Sequence, residues 1–163
     1  MKAEITLGAL YFEREGEGRD IYIIHGSPGD ARFMRGMLEP VFETKGGWRR
    51  TYLELPGFGK STANKVFDSH DMMLEFVLES VDHLSAGRPY ALLGYSYGAY
   101  LAQGALIKKS NLLRGLCLIA PRMMQDPSLK TVPERRVIDE DEEFSRDLTE
   151  DEAWLSEFVV MQS

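Results

Sequence analysis

The 163-residue sequence has a single cysteine, Cys117, so no disulfide bond can form within the chain. Disulfides are typical of oxidising compartments, so a reducing compartment is expected here. Cys117 lies in an apolar run, which predicts a buried and unreactive thiol. The N-terminus lacks the apolar stretch of a signal peptide, and no run approaches the roughly 20 apolar residues of a membrane-spanning helix. These absences predict a soluble, cytoplasmic protein with no membrane partner.

Basic residues are fewer than acidic ones. The sequence has 19 Lys and Arg residues against 26 Asp and Glu residues, a net charge of −7. Nucleic-acid binding requires basic residues that neutralise phosphates, so this balance argues against a nucleic-acid partner. The acidic excess is confined to residues 122–163, which hold 12 acidic and 5 basic residues, whereas residues 1–121 hold 14 of each. The shift predicts a boundary near Pro121, with a core over 1–121 and a second segment over 122–163.

The second segment has a helical signature near its end. Thr149 and Glu152 have the spacing of a capping box, in which each side chain satisfies a free N–H group at a helix start. Apolar residues with helical spacing follow, namely Trp154, Leu155, Phe158 and Val159. We interpret this segment as the start of a helical lid that packs on the substrate edge of the core.

Within residues 1–121, short apolar runs alternate with helical patterns. Strands are predicted at 10–14, 21–24, 48–53, 90–93 and 116–120. Helices are predicted from the spacing of Phe33, Met37, Leu38 and Val41, over 71–85 with Ser69 as N-cap, and directly after Ser96. This alternation favours an α/β fold with a mostly parallel sheet and helices on both faces. The loops at the carboxyl ends of its strands then meet at one edge, where such folds keep their sites.

One serine stands between a strand and a helix in the run Gly94-Tyr95-Ser96-Tyr97-Gly98. The pattern G-x-S-x-G in this context is typical of a nucleophile elbow, a strained turn that exposes a serine hydroxyl. Glycine at positions 94 and 98 lets the neighbouring chain pass close to the turn. The sequence therefore favours a nucleophilic serine at the sheet edge.

Two further turns follow strands that end at the same edge. They are His25-Gly26-Ser27-Pro28-Gly29 and Leu55-Pro56-Gly57-Phe58-Gly59-Lys60-Ser61. The second turn ends like a phosphate-binding P-loop, but that motif needs a glycine where Glu54 stands. A G-x-G-x-x-G turn is absent as well, which disfavours a nucleotide-binding protein. Glu54 is expected to have a structural role at its turn.

Together, the three turns resemble those of the α/β-hydrolase superfamily, and most closely its branch with an H-G-x-P-G motif. That branch includes esterases, lactonases, C–C bond hydrolases and proline iminopeptidase-like enzymes. The resemblance covers roughly residues 8–121. It implies a hydrolase that acts on an ester, amide or related acyl bond of a small-molecule substrate, with no cofactor and no metal.

The resemblance also implies a role for each motif residue. Ser96 is the expected nucleophile, and the backbone N–H groups of Ser27 and Tyr97 are the expected oxyanion donors. A serine at position 96 argues against the haloalkane dehalogenase and epoxide hydrolase branches, which use aspartate there. Supporting roles are expected for His25, Gly26, Gly29, Gly94 and Gly98. His70 and His83 are expected to be surface or cap residues.

The same family places an acid and then a histidine after the nucleophile. The sequence has no histidine after His83, and Asp126 has no histidine to orient. We therefore expect the N-terminal portion of such an enzyme, without its last strands and with little activity alone. The alternative is a non-catalytic module that binds a ligand or partner. In either case strand 116–120 is expected to have an open edge, which favours pairing with a second copy or with the remaining segment.

Overall fold

The computed structural model describes residues 1–64, 67–108 and 111–121, and the following account is confined to them. The strands are β1 (Lys2–Ile5), β2 (Gly8–Glu15), β3 (Arg19–Ile24), β4 (Trp48–Leu53), β5 (Thr62–Ala63), β6 (Tyr90–Tyr95) and β7 (Leu113–Ile119). The helices are α1 (Ala31–Phe42), α2 (His70–Ser85) and α3 (Tyr97–Lys108). The predicted lid, its capping box, Asp126 and the boundary near Pro121 involve residues outside these ranges and stay predictions.

The described strands form one mixed sheet in the order β1-β2-β4-β3-β6-β7, with β5 paired to β2. The pairs β4–β3, β3–β6 and β6–β7 are parallel, and β2 pairs antiparallel with β1, β4 and β5. The four parallel strands therefore end at the same edge, as the sequence predicts. β1 and β5 were not predicted from the sequence, since one is a short strand with alternate residues exposed and the other has only two residues.

Helices cover both faces of the sheet, and the alternation within β3 shows the division. Ile21 and Ile23 pack in a core with α1 residues such as Met34, whereas Tyr22 and Ile24 pack in a core with α2 and α3. Successive strand residues point to opposite faces, so a strand buried on both faces is a continuous apolar run. The predicted α/β fold class is confirmed.

α1 is capped by Asp30, whose carboxylate accepts the Phe33 backbone N–H at the free end of the helix. Its buried residues are Ala31, Met34 and Leu38. The helix predicted from apolar spacing is present, but its buried face begins at Ala31, so Phe33 is 49% and Val41 57% exposed. α2 begins as predicted, with the Ser69 hydroxyl accepting the Met72 N–H.

β7 lies at the end of the strand order and pairs with β6 alone among the strands that the structure describes. Cys117 on this strand is exposed, so the prediction of a buried thiol is wrong. The apolar run around Cys117 is less buried than a central strand, because every β7 residue is half-buried or exposed. Among the described helices, none has the length and apolar character needed to cross a membrane. The cytoplasmic location stays a prediction.

At the edge of the sheet opposite the serine turn, the buried Asp20 carboxylate contacts arginines from two other segments of the chain. Both Asp20 oxygens accept from Arg49, at 2.6 and 2.7 Å, and one also accepts from Arg88 at 3.2 Å. Burial raises the pKa of Asp20, but the hydrogen bonds and charges of Arg49 and Arg88 outweigh it and hold the pKa below its usual value. This carboxylate therefore ties β3 to β4 and to the segment before β6.

We predict that Asp20→Asn lowers the free energy of unfolding by about 1–3 kcal/mol near neutral pH, because the buried side chain loses its negative charge and one of the two oxygens that accept from the arginines. The pKa of Asp20 is lowered by folding. Its stabilisation is therefore present above the unfolded-state pKa of about 3.9 and is lost as the pH falls through the folded-state pKa. Urea denaturation near neutral pH and near pH 3 should therefore show a smaller difference in unfolding free energy between wild type and variant in acid.

The matched control is Glu75→Gln, which breaks an exposed ion pair with Lys108. It should leave the free energy of unfolding nearly unchanged, because exposed ion pairs contribute little. Equal losses in the two variants would contradict a stabilising role specific to Asp20.

Candidate active site

The serine turn joins β6 to α3 with Ser96 as its one connecting residue. Ser96 has φ +49°, in the left-handed region that costs an L-residue roughly 1–2 kcal/mol. Its backbone N–H donates to the Ile119 carbonyl on β7, and its carbonyl accepts the N–H groups of Ala99 and Tyr100. These bonds hold a strained, half-buried serine at the carboxyl edge of the sheet. Strain of this kind clusters at functional sites.

The two glycines of the turn are required by close backbone contacts. A Cβ atom at Gly94 would lie 2.4 Å from the Gly98 carbonyl oxygen. A Cβ atom at Gly98 would lie 2.2 Å from the Ile24 carbonyl oxygen and 2.5 Å from that of His25. Both distances are far inside van der Waals contact with backbone, which cannot rotate away. The start of α3 is therefore pressed against the end of β3.

The loop after β3 lies directly against Ser96. A Cβ atom at Gly26 would be 3.0 Å from the Ser96 Cβ atom and 2.9 Å from the Tyr95 ring. Ser27 follows as an exposed residue, joined to Pro28 by a cis peptide bond. Gly29 packs back on this loop, since its Cβ position lies 3.2 Å from the Gly26 carbonyl oxygen. The fold thus brings the H-G-x-P-G loop and the serine turn together.

His25 is fully buried, and both of its ring nitrogens are occupied. The Leu55 backbone N–H donates to Nε2 at 3.0 Å, so Nε2 carries no proton. The proton is therefore on Nδ1, which donates to the Gly26 carbonyl at 2.7 Å. Burial lowers the pKa of His25, against the opposing effects of the Gly26 carbonyl and Asp30. A neutral ring with no free nitrogen fixes the loop and has no lone pair to take a proton from Ser96.

Two backbone donors near Ser96 have no acceptor among the described residues, the N–H groups of Ser27 and Tyr97. Tyr97 is the first residue of α3, where N–H groups lack a partner within the helix. The N-terminus of a helix also carries partial positive charge. The surroundings of Ser96 therefore favour a negatively charged oxygen.

The turn after β4 is held by Glu54. Its buried carboxylate accepts the Lys60 backbone N–H across the turn. A Cβ atom at Gly59 would lie 2.3 Å from a Glu54 oxygen, so glycine makes room for this contact. The Phe58 ring packs edge-on against His25 with centroids 5.9 Å apart. Glu54 has the structural role that the sequence predicts, and the turn supports the loop beside Ser96.

His70 is a surface residue at the start of a helix, as the sequence predicts, but it also has a side-chain partner that the sequence does not predict. It is exposed and lies at the start of α2, but its Nδ1 is 2.9 Å from the Tyr97 hydroxyl oxygen. Only the N-cap at Ser69 hints at this position, and the contact with α3 depends on how the two helices pack. His83 lies in the last turn of α2. No cluster of three or more potential metal ligands occurs in the part of the chain that the structure describes.

These features and the sequence agree on one family. The family model of the α/β hydrolase fold matches residues 21–154, so the chain belongs to that family. A comparison with curated proteins finds no match.

Solved structures give the same result. The chain is similar to an α/β superfamily hydrolase from Oenococcus oeni with 25% identity and a TM-score of 0.72, covering 97% of this chain and 57% of that one. A thermophilic esterase from Thermogutta terrifontis has 25% identity and a TM-score of 0.68, with coverage of 78% and 48%. A proline iminopeptidase-related protein from Thermus thermophilus has 25% identity and a TM-score of 0.62, with coverage of 74% and 44%. The chain thus spans about half the length of these proteins.

We predict that Gly98→Ala destabilises the protein by about 1–3 kcal/mol or more, because its methyl group meets two backbone carbonyls. Gly104→Ala in the same helix is the matched control. Its methyl group would meet the tip of the Leu74 side chain at 2.7 Å, which can rotate, and alanine favours helix by about 1 kcal/mol. Urea denaturation of both variants measures the difference. Equal stability of the two would refute the close contact at Gly98.

We also predict that stability falls as the pH decreases below about 6.5, the usual histidine pKa. The folded protein keeps His25 neutral while the unfolded chain binds a proton there, so acid favours unfolding. His25→Gln, although less stable overall, should show a shallower slope of unfolding free energy between about pH 7 and pH 5. His83→Gln, which changes an exposed histidine, should keep the wild-type slope. If the pH dependence of the unfolding free energy were lost in His83→Gln and kept in His25→Gln, the neutral state assigned to His25 would be contradicted.

Proposed function

We propose that this chain carries the nucleophile and oxyanion donors of a serine hydrolase, with Ser96 forming an acyl intermediate. The observation that carries the proposal is the strained Ser96 at φ +49°, set between β6 and α3 and against Gly26. A backbone conformation that costs energy, at a serine beside N–H donors that have no acceptor among the described residues, indicates a chemical role more readily than a packing role.

The proposed reaction begins when Ser96 Oγ attacks the carbonyl carbon of an ester or amide. A base takes the hydroxyl proton, and the carbonyl oxygen becomes an oxyanion that accepts from the Ser27 and Tyr97 N–H groups. The bond to the alcohol or amine then breaks, and the leaving group takes the proton. Water repeats the cycle on the acyl-serine and releases the acid. Removing one such donor typically lowers the rate by about 100- to 1,000-fold.

In the proposed reaction, this chain does not supply the base that takes the Ser96 proton. The sequence has three histidines. Both nitrogens of His25 are bonded to backbone, His70 contacts the Tyr97 hydroxyl, and His83 lies at the far end of α2. We therefore expect Ser96 to be positioned but poorly activated in the 163-residue chain, with little turnover.

The substrate class follows from the similar proteins only in outline. An esterase and a proline iminopeptidase-related protein are among them, and these names refer to ester and peptide bonds. An ester or amide substrate needs no metal or cofactor for the reaction above. We propose such a substrate here.

A second candidate is a non-catalytic module that binds a ligand or partner. The observation in its favour is β7, whose outer edge has no partner strand among the described residues. An apolar edge strand favours pairing with another chain. Sedimentation at several concentrations tests this function, and a strictly monomeric chain would count against it.

Chemical complementation tests the hydrolase. External imidazole should supply the base that the chain lacks, so phosphonylation of Ser96 by a fluorophosphonate should speed up with imidazole concentration. Hydrolysis of a simple aryl ester should rise in parallel. Mass spectrometry of the labelled peptide identifies the modified residue.

The matched control is Ser96→Ala in the same imidazole, since imidazole itself cleaves aryl esters. The variant should show only that background rate. Absence of labelling at Ser96 at every imidazole concentration would refute the proposed nucleophile. Rapid ester hydrolysis without imidazole, abolished by Ser96→Ala, would refute the expected lack of a base.

A further inference from the structure

A group of three rings lies beside the serine turn and has no role in the reaction described above. His70, Tyr97 and Tyr100 form this aromatic cluster. The His70 ring centroid is 5.4 Å from that of Tyr97 and 5.6 Å from that of Tyr100, and the two tyrosine rings stack at 6.3 Å. The His70 Nδ1 atom is 2.9 Å from the Tyr97 hydroxyl oxygen. One histidine thus contacts two residues in the first turn of α3.

The cluster joins the starts of two helices. His70 is the first residue of α2, and the Ser69 cap fixes the backbone there. Tyr97 is the first residue of α3 and directly follows Ser96. Farther along, Leu74 packs against Gly104, so the two helices are in close contact beyond the cluster. His70 therefore holds α3 at the end that carries the serine turn.

Helix ends are the parts of a helix that open most easily. At the start of α3, the Ala99 and Tyr100 N–H groups bond to the Ser96 carbonyl, and the strained φ of Ser96 opposes this arrangement. A side-chain contact at Tyr97 restrains the same turn from outside. Burial raises the pKa of Tyr97, and the nearby Tyr100 adds to this effect, so its hydroxyl stays protonated and can hydrogen-bond to His70.

We propose that His70 is a positioning residue, which holds Tyr97 through its hydroxyl so that the Tyr97 backbone N–H keeps its place beside Ser96. The effect on the reaction rests on the proposed function, because it acts through the oxyanion donor. The effect on the turn itself does not depend on the proposed function. His70 touches no substrate in this scheme and takes no proton from Ser96.

Amide hydrogen exchange tests the positioning without any activity. His70→Ala should speed exchange at the Ala99 and Tyr100 amides by about 10-fold, because the turn that they close opens more often. Amides in β6 should exchange at the wild-type rate. The matched control is His83→Ala, an exposed histidine on the same helix, which should leave all these amides unchanged. Unchanged exchange at Ala99 and Tyr100 in His70→Ala would overturn the proposal.

Labelling of Ser96 by a fluorophosphonate in a fixed concentration of imidazole tests the consequence for the reaction. His70→Ala should lower the maximal labelling rate by about 10-fold, less than the roughly 100- to 1,000-fold cost of losing an oxyanion donor. The reagent concentration at half-maximal rate should not change, because the reagent does not contact His70. A change in that concentration alone would overturn the proposal.

Two conservative variants separate the hydrogen bond from ring packing. His70→Asn keeps an amide near the position of Nδ1 and should recover most of the rate, whereas His70→Gln extends past it and should not. Tyr97→Phe keeps the ring and the backbone N–H but removes the hydroxyl, so it should behave like His70→Ala even if His70→Ala folds poorly. If His70→Asn behaves like His70→Ala while Tyr97→Phe behaves like wild type, the proposal is overturned.

The two kinds of measurement distinguish failure of the positioning role from failure of the proposed function. If wild-type Ser96 never labels, the hydrolase is refuted, and the exchange rates alone decide whether His70 holds the turn. If wild type labels and His70→Ala labels equally fast, the hydrolase stands and the positioning role is refuted.

Discussion

The structure around Ser96 depends on one close contact, between the first turn of α3 and the last residues of β3. Gly98 lies so near the Ile24 and His25 carbonyls that no side chain fits between them. This contact brings the loop after β3 against the serine turn and, with it, the Ser27 N–H group. The arrangement of Ser96, its neighbouring loop and the N–H donors beside them follows from this close contact, because backbone cannot rotate out of the way as side chains do.

Much of the fold could be predicted from the sequence, for reasons that are local. Strands buried on both faces are continuous apolar runs, as in β3 and β6, and the Ser69 cap marks the start of α2. The short edge strands β1 and β5 could not be predicted, because their pairing depends on distant chain. The buried face of α1 could not be identified from apolar spacing for a related reason: Phe33 is apolar, but its position relative to the sheet depends on where the helix begins after the Asp30 cap.

The site was predictable as motifs but not as contacts. The three turns could be found because each needs glycine at fixed spacing, and the fold then brings parallel strands to one edge. The contact between His70 and Tyr97 could not be found, since His70 belongs to no motif, the Tyr97 side chain is not specified by its own motif, and the two are 27 positions apart. The neutral state of His25 likewise depends on the Leu55 N–H, which comes from another strand's end. Sequence patterns identify backbone requirements better than they identify side-chain partners.

The exposure of Cys117 makes β7 useful for spectroscopy. It is the one thiol among 163 residues, so a spin label or fluorophore can be attached there without removing other cysteines. Its strand register places it beside Leu93, three residues before Ser96, which is about 10 Å along a strand. A probe at this position would report on ligand approach and on motion of the serine turn in solution, from a side chain that has no part in the proposed reaction.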